Sequence, residues 1–266
     1  MSQLVILRQR IKAIETVKKT TNAMRLIAMS THSRLRHHKE QFQVYRNALH
    51  TLMAQIPAQS LQKEARSEHL VIIVGSQKGL CGIYNTSLVK YFNQLILPQP
   101  FKLMVIGRQI YEILNAQKTL IDSYQLQFSI QSYHTIAFQI AQTILHNNYK
   151  AVYIISQEAK TFFLQKPRMT QVWPVATQTT TESSDELIFE ENPQELYQHL
   201  LQAYIVTQLD TFFFESLLAE QAARFLSMDN ATHNADSLLT SMKLDYNKLR
   251  QALITRELAD LSGSLI

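Results

Sequence analysis

Three groups of residues have side chains or spacing that could do chemistry. The first is the loop Gly75-Ser-Gln-Lys-Gly79-Leu-Cys-Gly82, which follows an apolar run and precedes a helical pattern, the position that phosphate-binding loops occupy. A Walker loop needs Gly-x-x-x-x-Gly-Lys-Ser/Thr, so that backbone N–H groups wrap the phosphates and the lysine and hydroxyl follow at once; a dinucleotide loop needs Gly-x-Gly-x-x-Gly. Neither spacing occurs, so the glycines are read as a turn or contact surface and no nucleotide is expected there. The second is Cys81, the single cysteine. Its place before a helix start favours a thiolate, but nothing in the sequence obliges a histidine or aspartate to meet it, and a small packed residue is expected. The third is the set of nine histidines, which shows no metal-ligand spacing: His37 and His38 are adjacent and point to different sides of a helix. The carboxylate pair Glu190-Glu191 precedes a helix and complements its dipole. No catalytic residue, cofactor or metal is expected.

The elements that hold these residues are set out by the helix breakers. The first proline is Pro57 and the first glycine Gly75, and Pro193 is followed by neither until Gly263, so both ends read as uninterrupted helices, 3–56 and 194–262. At the usual rise these would be about 80 and 100 Å long, more than a compact globule of this size is wide. Their seams alternate three and four residues. One is Ile14, Val17, Thr21, Met24, Ala28, Thr31, Leu35, His38, Phe42, Tyr45; the other is Ile205, Leu209, Phe212, Ser216, Ala219, Ala223, Leu226. Two such faces bury each other as a left-handed antiparallel coiled coil, and the alanines imply close approach. Equal rise from Pro57 and Pro193 pairs residues whose numbers sum to about 250, placing Met24 near Leu226 and leaving about 17 residues, from near Lys248, without a partner helix. Between the helices the period changes. Runs at 69–74, 102–106 and 150–156 read as buried strands, helical stretches at 84–97, 108–118 and 135–147 alternate with them, 162–175 adds edge strands, and 177–185 is a surface loop. The expected fold is α/β: a coiled coil of the terminal helices, 1–56 and 193–266, with a central Rossmann-like domain, 57–192, on a mostly parallel sheet.

Charge is uneven along this frame. Of 26 Lys/Arg in 266 residues, ten lie in the first 50, against Glu15 and Glu40 alone, within a net charge of +5. Nucleic acid, an anionic membrane surface or an acidic protein would each satisfy that field, since charge asymmetry reports association and not identity. Because the basic residues flank a seam, an acidic protein around the rod is favoured over nucleic acid. With 46% hydrophobic and 18% charged residues and no apolar run near 20 residues, the chain is neither disordered nor membrane-spanning. One cysteine and a start lacking a signal pattern fit a reducing, cytosolic compartment.

One set of motifs goes further. Met24-Arg-Leu-Ile-Ala-Met-Ser after Ile11-Lys-Ala-Ile14, Lys78-Gly-Leu-Cys-Gly82 with Asn85, Gln165-Lys-Pro167, Phe189-Glu-Glu-Asn-Pro193, Glu220-Gln-Ala-Ala-Arg224 and Tyr246-Asn-Lys-Leu-Arg-Gln-Ala-Leu-Ile-Thr255 together resemble the gamma subunit of F-type ATP synthases. The likeness spans nearly the whole chain and is weakest from 108 to 160. It implies a rotating central shaft that couples proton translocation to ATP synthesis or hydrolysis, has no nucleotide site of its own, and meets the alpha and beta subunits of F1, the epsilon subunit and the c-ring of Fo. It also implies a peripheral place on the cytoplasmic face of a bacterial inner membrane. Carried over residue by residue, it suggests partner contacts at Met24, Arg34, Arg36 and Arg224 along the shaft, at Gly79, Leu80, Cys81 and Gly82 in the base, and at Arg250, Gln251 and Thr255 near the tip. Ile83-Tyr84, Gly75-Ser-Gln and His32 depart from the family's usual residues. Two other readings stay open: a gamma-like assembly scaffold that couples poorly, and a basic coiled-coil binder of nucleic acid or membrane surface.

Overall fold

The computed structural model describes residues 2–36, 44–49, 51–52, 68–175 and 193–263. The expectations for His37, His38, Phe42, the 177–185 loop and Glu190-Glu191 fall outside them. The chain forms two compact units, Met1–Met29 with Arg224–Ile266, and Ser30–Ala223. As their lack of breakers requires, the terminal segments are long helices, α1 (Ser2–Arg36) and α5 (Pro193–Gly263), and residues 44–49 and 51–52 are helical too. Proline suits the first position of α5, where its missing N–H costs no intrahelical bond.

In the first unit α1 and α5 run antiparallel. Lys18 pairs with Asp236, Arg25 Nη1 lies 2.7 Å from Asp229 Oδ1, Lys243 Nζ lies 3.0 Å from Glu15 Oε1, and the Thr232 hydroxyl donates to Thr21 Oγ1 at 2.9 Å. The residue numbers of these pairs sum to 253–258, so the register lies up to about two turns beyond the expected 250. The seam is also turned by one residue. Val17 and Met24 are exposed, 48% and 37%, and Lys18 and Arg25 take their places between Ile14, Thr21 and Ala28. A polar residue in a seam specifies register; here cations of α1 meet carboxylates of α5, a constraint that counting rise from two prolines cannot contain.

The second unit is built on a five-stranded sheet ordered β3-β2-β1-β4-β5, from β1 (His69–Val74), β2 (Phe101–Ile106), β3 (Ser123–Gln125), β4 (Ala151–Thr161) and β5 (Leu164–Trp173). Pairing is parallel except in the β4–β5 hairpin. The helices between strands are α2 (Tyr84–Gln94), α3 (Arg108–Ala116) and α4 (Tyr133–Asn147). Every residue of β1 is buried, as the centre of a sheet covered on both faces requires. Its side chains alternate between two cores. Leu70, Ile72 and Val74 join α4 (Ile136, Ile140, Ile144) and α5 (Ile205, Leu209, Phe213); Val71 and Ile73 join α2 and α3 (Leu88, Ile110, Leu114).

The lower part of α5 therefore differs from the expected two-helix seam. Ile205 and Leu209 share a core with the sheet and α4 as well as with Leu35 and Leu49, and Ala219 joins the opposite core beside Val71, Ile73 and Tyr84. Ser216 is bonded to α2, its Oγ 2.7 Å from the Tyr84 hydroxyl. A helix apolar on most sides, as α5 is from Leu201 to Leu218, is buried by several neighbours rather than by one.

Candidate functional site

The Gly75–Gly82 loop is folded inward. Ser76 N donates to Asn85 Oδ1 at 3.0 Å, Asn85 Nδ2 donates to Ser76 Oγ at 2.8 Å, and Ser76 Oγ donates to Lys78 O at 2.9 Å. Cys81 is buried, its Sγ 3.5 Å from both Ser76 Oγ and Asn85 Nδ2. The thiol is thus a packed member of a polar knot, as expected of a small core residue, and among the four loop residues predicted as contacts its side chain is the one turned inside. Gly75 has no room for a side chain: a Cβ would lie 2.4 Å from Ile110 Cγ2. Opposite it, Gly107 has φ +103° and would place a Cβ 2.6 Å from Gly75 O, so the β1–α2 and β2–α3 connections touch backbone to backbone.

What the loop presents outward is apolar. Leu80 holds a left-handed φ of 64° and is 56% exposed; Ile83, just beyond Gly82, is 79% exposed. The loop thus presents two exposed apolar side chains above a hydrogen-bonded base. Sequence reasoning had Leu80 and Gly82 but not Ile83, whose signal was an apolar residue between a glycine and a helix start. Gly107 was also missed, because its partner Gly75 is distant in sequence.

On the two-helix unit, Arg250, Gln251 and Thr255 are exposed, as is Met24. The observed register places residues 250 and 251 level with the first turns of α1, correcting the expectation that they lie beyond its end. The Thr255 hydroxyl is engaged within its own helix, donating to Gln251 O at 3.0 Å. Arg224 is partly buried. Farther along α1, in the second unit, Arg34 and Arg36 are exposed. His32 beside them is buried with its ring edge-on to Phe162, and burial, then the Arg36 charge, lowers its pKa. The cross-helix ion pairs hold the Glu15 and Asp236 carboxyls below their ordinary values through hydrogen bonds from Lys243 and Lys18.

A further polar group lies where α4 meets α5. Asp210 is 4% exposed, its Oδ2 2.7 Å from Nδ1 of the exposed His134. Burial raises the Asp210 pKa, opposed by the bond to His134. No group of three metal-ligating residues occurs among the described residues, and no helix among them is long and apolar enough to cross a membrane.

Against known proteins, the family model described as ATP synthase matches residues 3–265. The chain is similar to the ATP synthase gamma chain of Rickettsia felis, 28% identical over 98% of each chain, and to that of Geotalea uraniireducens, 27% identical over 99% of this chain and 98% of the other. Among solved structures it resembles a chain of the Euglena gracilis mitochondrial ATP synthase in its OSCP/F1/c-ring assembly, with a TM-score of 0.76 at 14% identity over 99% of this chain and 94% of that one. A chain of the Tetrahymena thermophila central stalk and c-ring gives a TM-score of 0.63 at 20% identity over 80% and 99%.

Proposed function

This chain belongs to the ATP synthase family, and from that premise we infer that it is the gamma chain, the rotating central stalk that couples proton translocation to ATP synthesis and hydrolysis. The observation that carries the reading is the extent of the family match, from residue 3 to 265, which takes in both long helices and the sheet. Its partners are then the alpha and beta subunits of F1, the epsilon subunit and the c-ring, and it lies peripherally on the cytoplasmic face of a bacterial inner membrane. The subunit supplies no catalytic group. Both donors of Ser76 in the loop are spent on Asn85 and Lys78, which supports a mechanical role.

A shaft shifts the nucleotide affinity of identical sites around it only through contacts that differ from site to site, because equal contact with every state shifts no equilibrium. Exposed Met24, Arg250 and Gln251 on the helices suit transient contact of that kind. The outward Leu80, Gly82 and neighbouring Gly79, braced by buried Cys81, suit a lasting grip in the base, and Arg34, Arg36, Arg224 and Thr255 extend the shaft's contact surface. The test is assembly of the chain with alpha, beta and epsilon subunits and the membrane sector, followed by ATP-driven proton pumping. Pumping dependent on this chain is expected; assembly that hydrolyses ATP without pumping would replace the reading with a scaffold, and failure to join alpha and beta would overturn it.

A further inference from the structure

Asp210 carries a charge-bearing group into the core between α4 and α5, and the structure satisfies only half of it. Oδ2 receives a hydrogen bond from His134, whereas Oδ1 is buried and has no hydrogen-bond partner among the described residues. An ionised carboxylate only accepts hydrogen bonds, and a buried one is stable when donors meet both oxygens. The same residue lines a groove of about 460 Å³ whose walls include the apolar faces of Tyr45, Phe138 and Val206, with His134 and His199 also lining it. Among the described residues, no lysine or arginine lines this groove, although the chain carries a net charge of +5.

We propose that this groove is a binding site for an alkylammonium or alkylguanidinium group, whose aliphatic stem lies along Phe138 and Val206 and whose cationic head donates to the Asp210 carboxylate. The combination of an apolar wall with a buried acceptor matches a group that is hydrocarbon along its length and charged at its end. Two sources present that chemistry, a free polyamine and a lysine or arginine side chain of a partner subunit. His134 Nδ1 meets Oδ2 at 2.7 Å, and the titratable groups lining the groove among the described residues are Asp210, His134, His199 and Tyr45.

The experiment titrates the full chain with butylguanidinium and butylammonium, and with neutral butylurea as the control of similar shape, following the His134 ring and Asp210 carboxyl resonances by NMR. Both cations are expected to bind, butylurea to bind at least about tenfold more weakly, and Asp210→Asn, which keeps the shape and an acceptor for His134, to weaken the cations by about tenfold or more. His134→Gln, which keeps a side-chain donor for Oδ2, should keep cation binding, so that a loss confined to Asp210→Asn reports the carboxylate and not a general loosening of the fold. Repeating the titration on the assembled complex separates the sources: a site closed to the probe only after assembly holds a partner's side chain, and one still open takes a free amine. Equal binding of butylurea, unaltered cation binding by Asp210→Asn, or no binding of either cation to the wild-type chain overturns the proposal.

Discussion

At the scale of single residues, two constraints stand out: a glycine with no room for a Cβ, and a carboxylate with no second donor among the described residues. Gly75→Ala would drive a methyl group into Ile110, with 2.4 Å available, and overpacking of this kind costs typically 1–3 kcal/mol. Urea denaturation of the variant should show about that loss; a variant as stable as wild type would mean the loops part easily. Asp210 has the opposite sign from most acidic residues. Its folded pKa is raised, so as pH rises from the ordinary value of 3.8 the unfolded chain releases its proton before the folded one does, and stability falls until the folded group has ionised. Asp210→Asn removes that fall. The urea midpoint of the wild type relative to this variant should therefore drop as pH is raised from about 4 toward neutrality, with a flat difference contradicting the burial account.

Elements show how register is chosen. Residues at seven-residue spacing, Lys18 and Arg25 on α1 and Asp229 and Asp236 on α5, place opposite charges opposite each other along the seam. Each pair is partly exposed, so its strength is modest and screened by salt. Its effect on register is larger than its effect on stability, because a shifted helix leaves a cation facing an apolar position. Arg25→Asp and Asp229→Arg alone should each lower the thermal midpoint, and the double exchange should recover most of the loss. Disulfide formation between Thr21→Cys and Thr232→Cys, in preference to Met24→Cys with Leu226→Cys, reports the register directly.

For the whole molecule, the prediction concerns work done on partners. Arg250 and Gln251 are exposed on α5, and a side-chain hydrogen bond to a charged group is worth roughly 1.5–3 kcal/mol net. Arg250→Ala with Gln251→Ala should leave the isolated chain folded, with unchanged circular dichroism, while lowering ATP-driven proton pumping by the assembled complex. Pumping, hydrolysis and assembly all at wild-type level would leave the two residues with solubility as their only role.

The scarcity of glycine and proline settled where the long helices run, and the β-rich runs from 69 to 156 settled the alternating centre, because breakers and periodicity act through neighbours in the chain. The same local logic read Cys81 as packed, and it is buried. Sequence alone could not choose between Val17 and Lys18, or Met24 and Arg25, as seam residues, since both series keep a three-four rhythm; the carboxylates of α5 decided it. Nor could it show that Ile205 and Ala219 face a sheet, that Gly107 touches Gly75, or that Asp210 meets His134 with one oxygen left over. Those contacts join residues far apart in the chain, so they depend on how the elements pack, and one-dimensional periodicity does not carry that.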